Sequence, residues 1–446
     1  VNVYQPSILS GREVALPSRS GVRNHNAEED MKKIVILGSG AGGTMAAAHL
    51  RKQLSVTEWS ITIVDNDEEH HYQPGWLFIP FGIYTRDDCV KPKRDFIPKG
   101  VEFLLDEVVG INPDQNYAET KANGKLAYDI LIVATGCDIA PDEVEGLEEW
   151  NADPEGNEHT IFSLAGALAL AKRLKRFEKG KLVFNIAEMP HKCPVVPMEF
   201  VFLADWYFRE NGVREDVEIE LVTPNTGIFT KPIATKVLSR TAEEKNILVK
   251  PNFDLAEVDT SGKRLVSPSG ETADYDLMVS TMPNLGADFI DESGLGDGMG
   301  YLLTDHHTLK SVKYGNIYAV GDASNVPTSK AGSVAHYQAE LVTENILREI
   351  DGLEPKASFD GHSTCFIVSG YDKAFLFDFN YKTEPLPGKY PFPALGPFDL
   401  VGESHMNYWG KMMFKWVYWN LLLTGKELPL EPQMSMAGKF WPAFAK

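Results

Sequence analysis

The sequence feature that most constrains the fold is a glycine-rich turn between a short apolar run and a helical stretch. The run Lys32 to Leu37 leads into Gly38-Ser39-Gly40-Ala41-Gly42-Gly43, and a second apolar run, Ile61 to Val64, ends in Asp65. Strand, glycine turn, helix, strand and terminal acid within about 35 residues are typical of a dinucleotide-binding βαβ unit. We expect Gly38 to permit the tight turn and Gly40 to let the backbone approach a pyrophosphate. Gly43 should let the helix pack on the sheet, and Asp65 should hydrogen-bond a ribose hydroxyl.

Two later runs extend this cofactor site. Tyr128 to Val133 is an apolar run that ends in Ala134-Thr135-Gly136, and Asn316 to Val320 is another that ends in Gly321-Asp322. An acid after a buried strand suits a ribitol hydroxyl of FAD, and a helix that begins near residue 332 suits the electron-rich edge of the flavin ring. The sequence therefore predicts bound FAD. The residues assigned to it are Gly38, Gly40, Gly43, Asp65, Thr135, Gly136, Gly321, Asp322 and Lys330.

NAD(P)H would need a second glycine-rich turn, and none follows the predicted strand that ends just before Asn185. That strand continues into Asn185-Ile186-Ala187-Glu188-Met189-Pro190, which has no glycine to let the backbone approach a pyrophosphate. Cys193 follows instead, just before a stretch with helical apolar spacing at 197–211. A helix dipole lowers the pKa of a thiol at its N-terminus, so we expect Cys193 to favour the thiolate, with His191 and Lys192 assisting.

The composition indicates a globular protein without a disulfide scaffold, in which Cys89 and Cys137 are expected to be buried apolar fillers and any cysteine with a function acts as a reactive thiol. A chain of 446 residues, 43% of them hydrophobic, can bury large cores and should form about two or three domains. The formal net charge of −20 argues against nucleic acid as a partner, because phosphate binding needs an excess of Lys and Arg. Cys89, Cys137, Cys193 and Cys365 show neither disulfide density nor metal-ligand spacing, so we expect no metal site.

The fold class that these elements predict is α/β, a flavoprotein with tandem Rossmann-like dinucleotide-binding domains and a C-terminal membrane-associating region. The predicted parts are an N-terminal arm (1–30), the first part of the FAD-binding domain (31–150), a second Rossmann-like domain carrying Cys193 (151–285), the second part of the FAD-binding domain (286–355) and a C-terminal region (356–446).

The C-terminal segment from His405 to Lys426 is rich in aromatic residues and lysine. It holds three tryptophans, two tyrosines and three methionines, with lysines at 411, 415 and 426, but it is too short and too interrupted to span a bilayer. We expect a helix that lies in the membrane interface, with Trp409, Trp416, Trp419 and the lysines as anchors; a dimer or core helix is the alternative. No signal peptide is evident. The expectation is a peripheral protein on the cytoplasmic face of a prokaryotic membrane.

Several motifs narrow the choice of flavoprotein. They are Tyr72-Gln73-Pro74 with Trp76, Lys192-Cys193-Pro194 with Pro197, Gly321-Asp322 through Pro327-Thr328-Ser329-Lys330, Ser363-Thr364-Cys365, and Tyr418-Trp419-Asn420 with Gly425. Together they resemble the sulfide:quinone oxidoreductases, especially the type that includes the mitochondrial enzymes. The resemblance covers residues from about 31 to 430.

The resemblance implies a sulfide-oxidising, FAD-dependent enzyme that reduces a membrane quinone at a lipid surface. Cys193 and Cys365 would face each other at the flavin and carry sulfane sulfur between them. Many bacterial members have a third cysteine where this chain reads Glu158 to Gly166, so we expect a two-cysteine mechanism. Glu199 stands where related enzymes carry a carboxylate, and it is either a general base or an ordinary first-turn helix acid.

Three other functions remain open at the level of sequence. The flavoprotein subunit of a flavocytochrome c sulfide dehydrogenase has the same fold but would lack the interfacial tail. A type 2 NADH:quinone dehydrogenase would need the missing glycine turn at 185–190. A non-enzymatic flavin-binding redox sensor would use Cys193 and Cys365 only as a dithiol switch. Homo-oligomer formation is also open.

Overall fold

The glycine-rich turn joins a buried strand to a helix, as predicted. The computed structural model describes residues 31–356, 358–393, 395–426, 428 and 432–441, so the predicted N-terminal arm lies outside the described residues. The helices are α1 (Ala41–Gln53), α2 (Arg86–Cys89), α3 (Leu164–Leu174), α4 (Val196–Glu210), α5 (Pro232–Glu244), α6 (Asp288–Glu292), α7 (Gly332–Ile350) and α8 (His405–Val417). The strands are β1 (Lys32–Leu37), β2 (Trp59–Asp65), β3 (Glu69–His71), β4 (Val90–Pro92), β5 (Glu102–Leu105), β6 (Val108–Asn112), β7 (Tyr117–Thr120), β8 (Gly124–Ala127), β9 (Ile130–Val133), β10 (Asp138–Ile139), β11 (Glu158–His159), β12 (Gly180–Asn185), β13 (Val217–Val222), β14 (Ile247–Lys250), β15 (Glu257–Asp259), β16 (Arg264–Val266), β17 (Thr272–Asp274), β18 (Leu277–Ser280), β19 (Asn284–Leu285), β20 (Ile317–Ala319), β21 (Ser363–Gly370), β22 (Lys373–Phe379), β23 (Gly388–Phe392) and β24 (Gly396–Leu400).

The first sheet is parallel and carries the glycine turn at one edge. Its strand order is β20-β9-β1-β2-β5. All four residues of β9 are apolar and buried, as is usual for a parallel strand covered on both faces. α1 and α7 pack against each other, although they lie far apart in the sequence. The carboxyl ends of β1, β2, β9 and β20 therefore meet near the starts of these two helices.

A second parallel sheet has the order β11-β18-β12-β13-β14, and α4 packs against β12 and β13. β12 ends at Asn185, where the glycine turn of a nucleotide-binding unit is absent from the sequence. The helix predicted at 197–211 is α4. The two parallel sheets confirm the predicted α/β class with tandem Rossmann-like halves.

The C-terminal part forms a third sheet that positions one of the predicted redox cysteines. The strand order is β21-β22-β24-β23, and β21 and β22 form an antiparallel hairpin. This hairpin contacts both α4 and α8. Cys365 lies on β21 and its side chain is buried. α8 continues into a π-helical turn, Tyr418–Leu422.

Among the described residues, no helix is long and apolar enough to cross a membrane. The predicted domain boundaries near 150, 285 and 355 stay predictions. The first sheet does draw strands from both predicted parts of the FAD-binding domain, since β1, β2, β5 and β9 precede the second sheet in sequence and β20 follows it.

Candidate active site

A cavity of about 500 Å³ lies where the carboxyl ends of the first sheet meet the starts of α1 and α7. Every residue that the sequence assigned to FAD lines this cavity except Gly43. Of the predicted catalytic residues, Cys193 is in the wall, whereas Cys365 and Glu199 do not line the cavity. The predicted residues in the wall are Gly38, Gly40, Asp65, Thr135, Gly136, Cys193, Gly321, Asp322 and Lys330.

Three of the four glycines of the turn, Gly38, Gly40 and Gly43, differ in what an added side chain would meet. Gly38 has a φ of +96°, and a Cβ there would collide with the carbonyl of Ala134. A Cβ on Gly43 would collide with the carbonyl oxygen of Gly38, so this glycine serves the packing of α1 on the turn. A Cβ on Gly40 would meet no protein atom within 4 Å. The space beside Gly40 is therefore free of protein atoms, which is compatible with the predicted approach of a pyrophosphate.

Unpaired polar groups in the cavity wall fit FAD. α1 and α7 begin without a side-chain cap, so the backbone N–H groups of their first turns can bind the pyrophosphate and the flavin edge. Thr135 Oγ1, His71 Nδ1 and Trp76 Nε1 belong to residues of the wall, and these buried atoms have no hydrogen-bond partner among the described residues. Buried polar atoms normally have partners, so these three fit a polar ligand that fills the cavity.

The carboxylate of Asp65 is already held by the protein. Lys93 Nζ lies 2.6 Å from Asp65 Oδ1, and both side chains are largely buried. The backbone N–H groups of Ser39 and Asp67 donate to the same carboxylate at 2.7 and 3.0 Å. Asp65 is thus fixed beside the glycine turn with its charge offset by Lys93. Sequence reasoning missed Lys93, because only the folding of the chain brings it to the end of β2.

Lys330, which also lines the cavity, hydrogen-bonds both to the turn that contains Asp322 and to the backbone of Cys193. Its Nζ donates to the carbonyls of Asp322 and Ser324 at 2.7 and 3.0 Å and lies 3.8 Å from the ring centre of Tyr301. Its carbonyl accepts from the N–H of Cys193 at 2.8 Å. Burial lowers the pKa of Lys330, and Asp322 opposes this shift. Lys330 is therefore a buried residue rather than a solvated surface lysine.

The expectation of a low pKa for Cys193 is wrong in this structure. Burial raises the pKa of the Cys193 thiol, the neighbouring Cys365 raises it further, and Lys411 is the main opposing charge. Burial also raises the pKa of Cys365, against a hydrogen-bonding contact with Ser363 and the charge of Lys411. Loss of water around a thiolate thus outweighs the dipole of α4. Lys411 and Glu199 act on the pKa of both cysteines, so Cys193 and Cys365 share one electrostatic environment.

Of the two residues expected to assist Cys193, His191 does not carry a positive charge. His191 is fully buried, and burial lowers its pKa to about 4, so its ring is neutral at neutral pH. Its Nδ1 is 2.8 Å from the carbonyl of Lys192. The Lys192 ammonium lies 4.0 Å from the exposed carboxylate of Asp138, at the cavity wall.

A buried ion pair between Glu199 and Lys411 stands behind the cysteines. Lys411 Nζ is 2.8 and 3.0 Å from the two oxygens of Glu199, and it donates to the carbonyl of Phe366 at 3.2 Å. The N–H of Val368 donates to Glu199 Oε1 at 2.9 Å. Burial raises the pKa of Glu199, against the charge of Lys411. Burial alone would lower the pKa of Lys411, but Glu199 and the two cysteines raise it above its usual value.

Sequence reasoning missed the role of Lys411, which it had assigned to a membrane interface. The helical period could have identified it, because Lys411 lies on the side of α8 opposite to Trp409 and Trp416. Lys415 is also paired, with Asp88 at 2.6 Å. Neither lysine is therefore free to act as a simple interfacial anchor.

α8 presents an exposed apolar stripe of four residues, Met406, Trp409, Met413 and Trp416, which are 48–68% exposed. Their spacing of three and four residues places them on one helix face. The prediction for Trp419 is wrong: it is buried and stacks on Phe96 with ring centres 5.1 Å apart. The π-helical turn after α8 rotates this side chain into the core.

The other two cysteines differ in position. Cys89 is fully buried in the core, and burial raises its pKa to about 12. Cys137 lines the cavity and contacts Tyr301; burial raises its pKa to about 11, with Asp322 adding to the shift.

Comparisons with known proteins agree with this geometry. Residues 32–184 match the family model described as pyridine nucleotide-disulphide oxidoreductase. The chain is 32% identical over 406 residues to the mitochondrial sulfide:quinone oxidoreductase of Dictyostelium discoideum, which covers 89% of this chain and 87% of that protein. It is 28% identical over 401 residues to the mouse mitochondrial enzyme, covering 88% and 86% of the two chains. The solved sulfide:quinone oxidoreductase of Aquifex aeolicus shares the fold, with a TM-score of 0.74, 19% identity, and coverage of 89% of this chain and 92% of that one.

Proposed function

The chain belongs to the sulfide:quinone oxidoreductase family of FAD-dependent flavoproteins, and we propose that it oxidises sulfide at Cys193 and Cys365 and passes the electrons to a membrane quinone. The observation that supports this most strongly is the position of Cys193. It lies in the wall of the FAD cavity, and the buried Cys365 is near enough to raise its pKa. Sulfur chemistry at this pair would therefore occur beside the cofactor.

Cys193 and Cys365 are free thiols in this structure, and in the oxidised enzyme they would be joined by a sulfur bridge. Sulfide would attack that bridge, since a sulfur nucleophile opens an S–S bond by exchange. One cysteine then carries a persulfide and the other leaves as a thiolate, so one S–S bond forms as another breaks. When the two sulfurs rejoin in a bridge that is longer by one sulfur, a proton and an electron pair are released. FAD, which the cavity lined by Gly40, Gly321 and Asp322 would hold, would supply the two-electron acceptor between the cysteine pair and the quinone. A further sulfide ion would open the lengthened bridge by exchange, and reclosure of the original bridge would then expel the added sulfur as a two-sulfur polysulfide, HS–S⁻.

The Glu199–Lys411 pair would manage charge and protons in this sequence. Burial disfavours the thiolate that leaves, and Lys411 is the cation that lowers the pKa of both cysteines. Lys411 would therefore stabilise the leaving thiolate. Glu199 has a raised pKa and touches Lys411, so it can hold the proton that the persulfide releases. Glu199 is a general base in this proposal, which is one of the two roles that the sequence leaves open.

NADH as the electron donor and a soluble haem protein as the electron acceptor both fit this chain less well than sulfide and a membrane quinone. NADH would need a glycine turn after β12, where this chain reads Asn185-Ile186-Ala187. A soluble haem partner gives no reason for the exposed apolar stripe of α8. A lipid surface does, because tryptophan and methionine on one helix face suit the membrane interface. The cytoplasmic face of a prokaryotic membrane and a homo-oligomeric state stay predictions.

Steady-state turnover with sulfide and a soluble quinone tests the role of the cysteines. Cys193→Ser and Cys365→Ser should each abolish sulfide-driven quinone reduction while FAD stays bound, because each removes one sulfur-carrying end. Cys89→Ser is the matched control; it removes a buried thiol from the core and should leave turnover nearly unchanged. Near-normal turnover in either of the first two variants would refute the paired-cysteine reaction.

A further inference from the structure

A cluster of three potential metal ligands lies between α1 and α7, outside the FAD cavity. It consists of His49 on α1 and of His336 and Glu340, one turn apart, on α7. One ligand atom from each residue lies within 4.8 Å of the others, and His336 Nε2 is 3.4 Å from Glu340 Oε1. Both imidazoles are buried, with His49 8% and His336 2% exposed. Sequence spacing predicted no metal here, because His49 is far in sequence from the other two.

The hydrogen bonding of His336 points to a ligand. Neither of its ring nitrogens has a hydrogen-bond partner among the described residues, although the side chain is almost fully buried. His336 Nε2 lies 3.4 Å from Glu340 Oε1, which is within ion-pair distance, but the two atoms do not have the geometry of a hydrogen bond. Since buried polar groups are normally satisfied, an unpartnered imidazole beside a carboxylate and a second imidazole suits a shared cation.

We propose that His49, His336 and Glu340 bind a divalent transition-metal ion of the zinc type. Two imidazoles and one carboxylate are a donor set that zinc accepts, and water can fill the fourth position of a tetrahedral site. A pair of ligands at positions i and i+4 lies on one helix face, so α7 presents His336 and Glu340 to the same point. Oxygen-preferring cations such as Ca²⁺ are a poorer match, because two of the three donors are nitrogen.

The location assigns the ion a structural role in holding the cofactor site together. Gly40 and Ala41 at the start of α1 line the FAD cavity, as do Gly332 and Ala335 in the first turn of α7. His336 directly follows Ala335, and His49 lies about two turns along α1. A metal ion would therefore join the two helices just behind their FAD-binding ends. Loss of the ion should loosen FAD as well as lower the thermal stability.

Metal analysis of the purified holoprotein tests the proposal. After removal of loose metal with a chelator and dialysis against buffered zinc, the protein should hold about one zinc per FAD, with a rise in Tm that a strong chelator reverses. His336→Ala and Glu340→Gln should lose both the zinc and the rise in Tm, and should release FAD faster. His159→Gln is the matched control, because His159 is a buried histidine whose Nε2 is 3.1 Å from the carbonyl of Gly156 in another part of the fold.

The atoms that bind the zinc distinguish this site from zinc bound to the cysteine thiols, and X-ray absorption identifies those atoms. The zinc absorption edge should show only nitrogen and oxygen ligands, and Cys193→Ser/Cys365→Ser should keep the zinc. Sulfur in the shell, or zinc content in Glu340→Gln equal to that of the wild type, would overturn the proposal. Glu340→Gln keeps the side-chain shape, so the test holds even if a histidine variant fails to fold.

Discussion

Lys411→Met should destabilise the protein through the carboxylate that it leaves behind. Lys411 makes two contacts of 2.8 and 3.0 Å with Glu199, whose side chain is fully buried, and its other hydrogen bond goes to a backbone carbonyl. Removing one member of a buried ion pair costs about 3–5 kcal/mol, because the remaining charge has no compensation. Methionine keeps most of the volume, so the loss should come from charge rather than from a cavity.

The pH dependence of this loss identifies its cause. In the folded protein the pKa of Glu199 lies above its unfolded value, so this group favours the folded state at low pH, and its contribution is lost as the pH rises through the folded pKa. Without Lys411 the folded pKa rises further. The destabilisation should therefore be largest at about pH 8 and should shrink toward about pH 5, where Glu199 takes up a proton.

Urea unfolding of four proteins provides the measurement: the wild type, Lys411→Met, Glu199→Gln and the double variant. The double variant should be more stable than Lys411→Met, because its neutral amide needs no counter-charge. Sulfide-driven flavin reduction should fall by about tenfold or more in Lys411→Met, as one pKa unit in a reacting thiol corresponds to a factor of ten. Additive free energies, or a loss of stability that is the same at both pH values, would show that the pair is not coupled and would refute the reasoning.

The other predictions concern the cofactor turn, Asp65 and the membrane surface. Gly40→Ala should fold normally but bind FAD more weakly, whereas Gly43→Ala should lower the Tm of the apoprotein. The reason is that the new Cβ meets protein atoms at position 43 but not at position 40. Equal Tm values for the two apoproteins would contradict this reasoning. Lys93→Met should weaken FAD binding and lower the thermal stability, since Asp65 would lose its counter-charge at 2.6 Å. Lys93→Arg keeps the charge and should retain most of both properties. Fluorescence titration measures the FAD affinity, and thermal unfolding measures the stability. Trp409→Ser/Trp416→Ser should reduce flotation of the protein with liposomes and slow reoxidation of the flavin by long-tailed quinones, but it should leave flavin reduction by sulfide intact. Val56→Ser, at an exposed position outside α8, is the control. Unchanged flotation would indicate that the apolar stripe of α8 faces another protein.

The parts of the molecule that sequence reasoning predicted well are those set by local pattern. The roles of Gly38 and Gly43 follow from the turn itself, and the steric environment of each matches the prediction. The strand ends at Thr135 and Asp322 reach the same cavity because parallel strands present their carboxyl ends at one edge of a sheet. The approach of Cys193 to Cys365 came from a family resemblance, since no local pattern joins them.

The errors share one physical cause, which is burial set by tertiary packing. The dipole of α4 suggested a low pKa for Cys193, but the loss of solvent around the thiol is the larger effect. Trp419 and Lys411 belong to an aromatic, basic segment, yet one packs in the core and the other pairs with Glu199. Lys93 had no signal at all, because its partner Asp65 lies on another element.

Anaerobic titration of the purified yellow protein, followed by flavin absorbance, tests the central claim most directly. Sulfide should bleach the flavin of the wild type in a near-stoichiometric titration, and decylubiquinone should restore the colour. NADH at the same concentration should leave the flavin oxidised, because the chain lacks the second glycine turn. Bleaching by NADH at a rate comparable to that with sulfide, or no bleaching by sulfide at all, would contradict sulfide oxidation at Cys193 and Cys365.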